Sequence, residues 1–260
     1  MITLQETGRG IRFALPNLKF GSQKRGNMNQ LCYETLAEIG YTGFLQKDAP
    51  VRALQFGEGN FLRAFADYFF DVANEKGSWN GKIAMIQPTP FGRTAPVLNA
   101  QDDLYTLYLR GRENGAVVDE RRVISVSDKC YNPYLKEEWD SLKELAASDE
   151  LEYVISNTTE AGIVFDPEAQ AGEEAPASFP AKLTLLLLER FHAGKKGLVI
   201  LPCELIDDNG KILRDCVLSH IEAWKLGDDP AGSFRYHRSA HRAGSQDLSS
   251  PHENVQARGA

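Results

Sequence analysis

Long apolar runs are missing from this 260-residue sequence: the strongest, at 183–188, falls far short of the roughly 20 residues that cross a bilayer. Cysteine is scarce. Cys32, Cys130, Cys203 and Cys216 are widely separated and form no C-x-x-C pair, so reduced thiols are expected and a disulfide scaffold or zinc ribbon is not. No basic stretch followed by an apolar core opens the chain, so no secretory leader is expected and the cytoplasm is the expected compartment. Positive charge is also in deficit. The chain carries a net −7, and residues 28–230 carry −13 once the basic flanks 1–27 and 231–260 are set apart. An acidic body excludes nucleic acid as the main partner, because neutralising phosphates takes clustered Lys and Arg. There is no internal repeat. His237, His241 and His252 lie at no metal-ligand spacing, so no metal site is expected.

What is present is a well-punctuated globular sequence, 42% hydrophobic and 25% charged, long enough for a substantial core. The spacing predicts a helix over 30–38 stopped by Gly40, then an apolar strand Val51–Phe56, a glycine-bearing turn, and a helix over 61–76 closed by Gly77. A buried strand follows at 82–87, then strands or a hairpin at 105–110 and 117–126 around Asn114-Gly115. Asn132-Pro133 reads as an N-cap and first-turn proline, with Leu135, Trp139 and Leu142 on one face of the helix they open. Beyond it lie a strand at 153–156, a polar turn at 157–160 and a loop at 166–177. A helix from Pro180 to Gly194, a strand at 198–201 and an amphipathic helix at 211–226 complete the pattern. Strands alternating with helices of this length imply an α/β fold with a mostly parallel sheet covered on both faces. Three segments are expected: a disordered extension over 1–27 with Met28 as a start, one folded domain over 28–229, and a disordered or frame-shifted tail over 230–260.

The stretch richest in chemistry is Leu54-Gln55-Phe56-Gly57-Glu58-Gly59-Asn60-Phe61-Leu62-Arg63-Ala64. Gly57 and Gly59 stand where a buried strand turns sharply into a helix, permitting positive φ and close approach of a ligand to the backbone. The free amides at the helix start make an anion site. Arg63, disfavoured by the helix dipole by about 0.3–1 kcal/mol, would gain from a pyrophosphate lying between it and the helix end; the alternative is a snorkelling surface arginine. The third glycine of G-x-G-x-x-G falls at Leu62, and Gln87-Pro88-Thr89 stands where an acidic ribose ligand usually ends the next strand, with Arg93 a weak candidate for a 2′-phosphate. A glycine turn of this kind also suits an S-adenosylmethionine-dependent methyltransferase, although such sites usually place a carboxylate where Gln87 stands.

Gly57-Glu58-Gly59-Asn60-Phe61-Leu62-Arg63-Ala64 resembles the G-x-G-N-F-x-R-A signature of the mannitol dehydrogenase, or polyol-specific long-chain dehydrogenase, family. Gln101-Asp102-Asp103-Leu104-Tyr105-Thr106 resembles its Q-D-x-L-Y-T segment. Ser156-Asn157-Thr158-Thr159-Glu160-Ala161-Gly162 and Leu201-Pro202-Cys203-Glu204-Leu205-Ile206-Asp207 are similar to the branch that reduces tagaturonate to altronate, with Leu205 where the broader family has an Asn that assists at the substrate.

The resemblance implies a Rossmann-like domain that binds NAD through Phe56, Gly57, Glu58, Gly59, Asn60, Phe61, Leu62 and Arg63. It implies a small-molecule hexuronate substrate, met by Thr158, Glu160 and Glu204. The family carries its lysine acid/base on a helical C-terminal domain in a K-x-x-x-x-N-x-x-H pattern. That pattern is absent from these 260 residues, so no catalytic residue is assigned and a truncated form with little turnover is expected. A catalytically silent nucleotide-binding fragment is the alternative. For Glu204 the competing role is a cap on the helix at 211–226, and for the turn at 157–160 it is satisfaction of its own backbone. His192 and His220, late in their helices, and Cys203 are expected to be structural.

Overall fold

The computed structural model describes residues 30–226 apart from 114 and 160, so the expectations for the two flanks, and for Glu160, lie outside the described residues. After helix α1 (Tyr33–Glu38), strand β1 (Val51–Phe56) runs into two helices, α2 (Asn60–Ala64) and α3 (Ala66–Glu75). Strand β2 (Lys82–Ile86), helix α4 (Thr94–Asn99), strands β3 (Tyr105–Glu113), β4 (Ala116–Ile124) and β5 (Ser127–Tyr131), and helix α5 (Lys136–Ala146) follow. The described chain closes with strand β6 (Tyr153–Ser156), helix α6 (Phe179–His192), strand β7 (Val199–Pro202) and helix α7 (Asn209–Ala223).

Five strands form one parallel sheet in the order β5-β2-β1-β6-β7. The order reverses at β1: the chain builds outward through β2 to β5, then crosses back to β6 and β7. This is the doubly wound Rossmann-like arrangement, and its switch point lies between the carboxyl ends of β1 and β6. Successive residues of β1 feed opposite faces. Leu54 and Phe56 join Trp139, Leu142, Leu183 and Val217 in the core under α5, α6 and α7. Ala53 joins Leu62, Ala66, Leu98, Tyr105 and Ile124 under α2, α3, α4 and the β3–β4 hairpin, which pairs antiparallel as a separate two-stranded sheet. Helices therefore cover both faces, as the strand–helix alternation requires.

The sequence reading needs four corrections. The helix expected over 61–76 is broken at Phe65, whose φ −115° and ψ −79° leave helical geometry. The helix expected from Asn132-Pro133 starts at Lys136, because Asn132 Oδ1 accepts from the Tyr134 amide in a side-chain turn instead of capping a helix. Leu135, just before that start, is exposed, while Trp139 and Leu142 are buried. Finally, β5 and α4 went unread: β5 is an edge strand with polar Ser127, Asp128 and Lys129, and α4 carries Pro96 in its first turn.

One buried cation fixes the far edge of the α5–α6 layer. The Arg190 guanidinium donates to the carbonyls of Ala146, Ser148, Leu151 and Lys196 at 2.6–3.2 Å, tying the end of α5 and the entry to β6 to the end of α6. Replacing it with methionine strands these carbonyls in a dry site, and a buried acceptor left unsatisfied costs about 1–3 kcal/mol. Arg190→Met is expected to lower unfolding free energy by roughly 2–4 kcal/mol in urea titration, with the slope of the transition unchanged.

The glycine turn at the sheet switch point

Three loops meet at the carboxyl edge of the sheet: those after β1, β6 and β7. Gly57, the first residue past β1, has φ +111°, a backbone region open to glycine and strained for any L side chain. A Cβ there would lie 2.8 Å from the Asn157 carbonyl oxygen, so the β6 loop is pressed against Gly57. The contact is framed by ladder bonds on both sides, Gly57 N–H to Ile86 O at 3.0 Å and Asn157 N–H to Phe56 O at 3.0 Å. Gly59 differs from the sequence expectation: its φ is −69° with ψ 164°, an ordinary extended N-cap, and nothing lies within 4 Å of where a Cβ would point. The two glycines therefore do separate work. Gly57 lets two strand ends close up, and Gly59 leaves open space at the start of α2.

The rest of the turn divides between core and surface. Phe56 is buried with its ring 4.7 Å from that of Phe179, so only its backbone reaches the turn. Leu62 is buried in the core and stands 3.7 Å from the Gly57 Cβ position, filling the space that a third glycine leaves empty. Phe61 is half exposed and stacks on Phe65. The first helical bond runs from the Arg63 amide to Gly59 O, so the amides of Asn60, Phe61 and Leu62 precede every intrahelical acceptor. Glu58 is buried, and burial raises its carboxyl above the usual range while the nearby Arg63 charge pulls it back.

Arg63 is not a surface arginine. It is 3% exposed, turned inward, with Nη2 donating to Asn60 Oδ1 at 2.7 Å and the guanidinium 5.3 Å from the centre of the Tyr105 ring. Tyr105, from the Q-D-x-L-Y-T segment, places its hydroxyl 3.0 Å from Arg63 O and 2.7 Å from Asp67 Oδ2. Two separated sequence motifs thus meet directly beneath the turn. Asp67 is fully buried, which pushes its carboxyl up to about 7. Sequence reasoning passed over Gln55 and Asp67. The available signals were a polar residue between Leu54 and Phe56 in the buried half of β1, and an Asp one helical turn after Arg63.

On the β6 side, Glu204 is buried and fully engaged. Oε2 accepts from the Ser156 hydroxyl at 3.1 Å, and Oε1 accepts from the Thr158 amide and hydroxyl at 3.0 and 3.2 Å. It does not cap the following helix: the N-cap of α7 is Asp208, in a left-handed conformation. The Asn157 and Thr158 amides are satisfied by β1 and Glu204, Thr159 O accepts locally from the Gly162 amide, and Asn157 Nδ2 donates to Cys203 O at 3.0 Å. Thr159 has φ +74°, a strained value for a β-branched residue and one typical of functional loops. Leu205 is exposed. The Cys203 thiol is pushed up to about 11 by burial, which makes it inert, and His220 is buried with Nδ1 2.8 Å from Cys216 O. His192 is exposed near the end of α6. No group of residues suited to hold a metal occurs among the described residues.

A cleft of about 400 Å³ spans the loops after β2 and β6, lined by Pro88, Thr89, Thr158, Phe165, Ser178 and Phe179. Its β2 rim is held from below: Lys182 Nζ donates to Tyr134 Oη at 3.1 Å and to Ala177 O, and Tyr134 Oη donates to Pro88 O at 3.0 Å. Burial brings the Lys182 amine down to about 8. Gln87 is folded back onto Thr89 O, and Arg93 is exposed at the start of α4.

Residues 51–229 match the family model described as the mannitol dehydrogenase Rossmann domain. An altronate oxidoreductase of Halalkalibacterium halodurans is 41% identical over 203 residues, covering 76% of this chain and 39% of that protein. One of Bacteroides thetaiotaomicron is 45% identical over 185 residues, covering 69% and 38%. The chain thus spans about two fifths of the length of these curated relatives. Among solved structures, Pseudomonas fluorescens mannitol 2-dehydrogenase, in a ternary complex with NAD and D-mannitol, superposes with a TM-score of 0.63 at 21% identity, over 76% of this chain and 43% of that one. A D-sorbitol dehydrogenase in substrate-free form gives 0.61 at 20%, over 78% and 44%. The sheet order, the glycine turn at its switch point and the match over 51–229 lead to one conclusion: this chain belongs to the mannitol dehydrogenase family.

Proposed function

We propose that this chain binds a nicotinamide dinucleotide, NAD or NADH, at the turn 57–60 and is the coenzyme-binding part of an oxidoreductase interconverting D-tagaturonate and D-altronate. The observation that carries the reading is the pairing of the two glycines at the switch point. Gly57 closes the β1 and β6 loops onto each other, while the space over Gly59, beside the unbonded amides of α2, is open to a pyrophosphate. The names of the curated relatives support the hexuronate substrate, and the ternary complex of the mannitol 2-dehydrogenase supports NAD.

Bound NAD supplies a hydride acceptor for the carbinol carbon of altronate, and NADH a donor for the carbonyl of tagaturonate. This chain's own residues bind and orient. The amides of Asn60, Phe61 and Leu62 receive the phosphate charge, and Asn60 is held for that role by Arg63. Thr158, on the wall of the cleft, serves the substrate side, and Glu160, outside the described residues, is assigned to the same side by its place in the sequence. Glu204 acts there by holding Thr158, since both its oxygens are committed to Ser156 and Thr158. Phe56 and Leu62 contribute as the packed floor of the turn. Proton transfer is a separate requirement, because the alkoxide that forms as hydride leaves or arrives needs a positioned acid/base group. The K-x-x-x-x-N-x-x-H pattern that carries it in the family does not occur in these 260 residues.

The two glycines separate folding from binding. Gly57→Ala forces a side chain into a positive-φ site against a backbone carbonyl, and is expected to cost about 1–3 kcal/mol in urea unfolding and to weaken NADH binding as well. Gly59→Ala meets no protein atom, so its unfolding midpoint should match wild type while NADH affinity falls about tenfold or more, read by the fluorescence of bound NADH. Equal affinity in Gly59→Ala and wild type would remove the pyrophosphate from this turn. Isothermal titration with NADH, NAD and S-adenosylmethionine should give heat with the nicotinamide coenzymes alone. With tagaturonate and NADH, little or no turnover is expected from these 260 residues. A kcat in the ordinary enzymatic range of about 1–10³ s⁻¹ would show that the proton donor lies within them.

A further inference from the structure

A dinucleotide laid across a doubly wound sheet puts its pyrophosphate at the switch point and its adenosine on the side of the second strand, where a carboxylate at the strand's end usually accepts from the ribose. Gln87 holds that place in this chain, and its side chain is closed to a ligand. It is 1% exposed, its Nε2 donates to Thr89 O, and a Cβ on Gly92 would collide with it, so the loop 88–92 is folded down on Gln87. The adenosine side has a carboxylate of another origin. Glu58, between the two glycines of the turn, is 8% exposed, and among the described residues the only donor to its carboxylate is its own amide. Its charge acts on Arg63 of α2 and on Cys130 of β5, which stands in the sheet opposite Met85 of β2. The carboxylate thus leans from the turn towards β2 and β5, the half of the sheet away from β6 and β7.

We propose that Glu58 is a specificity-determining residue for the coenzyme: its carboxylate accepts from the adenosine ribose hydroxyls in place of an acid at the end of β2, and it rejects a coenzyme that carries a 2′-phosphate. This rests on the nicotinamide coenzyme reading above. A carboxylate inside a turn that receives a pyrophosphate is unfavourable by itself, because it brings like charges together in a largely buried site. Donors that arrive with the ligand reverse the sign, and the ribose offers two, on its 2′ and 3′ oxygens. Bonds from hydroxyl to carboxylate are charge-assisted, and one bond from its own amide leaves most of the acceptor capacity of Glu58 unused. A 2′-phosphate replaces one of those donors with an anion. The coenzyme then loses a hydrogen bond and gains a repulsion at the same position. Arg93, exposed at the start of α4, is the group that would act in the opposite sense by pairing with a 2′-phosphate.

The test is a set of dissociation constants for NADH, NADPH and NADH lacking the adenosine 2′-hydroxyl, read by the fluorescence of the bound coenzyme at pH 8 for wild type and Glu58→Gln. Wild type should bind NADH about tenfold or more tightly than either analogue. Glu58→Gln should bind NADH more weakly, NADPH as well as or better than wild type does, and NADH and its 2′-deoxy form within about twofold of each other. A role confined to holding the turn would weaken all three ligands alike and leave their ratios as in wild type. That result overturns the proposal, and so does a wild type that binds NADPH as tightly as NADH, which would point to Arg93 instead. If Glu58→Gln does not fold, Glu58→Asp, which keeps the charge and withdraws it by one methylene, must narrow the preference for NADH; an unchanged preference overturns the role. A wild type that binds none of the three ligands refutes the coenzyme reading itself, whereas NADH binding without discrimination refutes the role of Glu58 alone.

Discussion

The close approach of Gly57 to the Asn157 carbonyl is the constraint around which the rest of this fold is arranged. Two parallel strands, β1 and β6, end side by side, and each must send its chain onward in a different direction. A side chain at 57 would meet the Asn157 carbonyl oxygen at 2.8 Å, so only glycine lets the ends close while both strands keep their last ladder bonds. Closure leaves the two following loops flanking one crevice. The loop after β1 becomes a helix start with unbonded amides, and the loop after β6 becomes the strained turn through Thr159. A strained turn needs reinforcement, and Glu204 provides it from the loop after β7 by accepting three hydrogen bonds from Ser156 and Thr158.

Polar groups, more than apolar ones, set the geometry of this edge. The apolar cores on either face decide that β1 is buried and that α2 and α6 lie against it, but contacts of that kind tolerate small shifts. The Gln55–Asp67–Tyr105–Arg63 cluster is directional: each bond names one atom, and the members come from β1, α3, β3 and α2. In a dry site such a network is stabilising only when complete, so it holds the turn in one arrangement or costs free energy.

What the sequence made legible follows from which forces leave a local trace. Strands β1, β2 and β6 are short, mostly buried runs, β7 is a short apolar run at the sheet edge, and helices α6 and α7 carry a sustained apolar period, so all were readable to within a few residues. The glycine turn was readable because its chemistry is local. Other features left no such mark. β5 sits at the sheet edge with polar residues at its first three positions, and its strand character comes from pairing with β2. The break at Phe65 separates residues that all suit a helix; it lies where Tyr105, 40 positions later, bonds to Arg63 O. The burial of Arg63 follows from the same distant tyrosine. Long-range hydrogen bonds decided what local propensity could not.

The commitments of the acidic groups at this edge bear on the division of labour. A general acid or base must release its hydrogen-bond partners to exchange a proton with substrate. Glu204 would have to give up Ser156 and both donors of Thr158, unfastening the loop after β6, so its carboxylate serves position rather than proton transfer. Glu58 lies within the glycine turn with Arg63 nearby, and Asp67 is sealed beneath it. Cys203 holds its proton too tightly to act as a nucleophile. The ionisable groups described at the carboxyl edge are thus spent on shaping a binding surface. On the function proposed above, such a surface would align a dinucleotide and a carbonyl for hydride transfer and supply the entropic part of a rate enhancement, with the proton-transfer part left to a group of another kind.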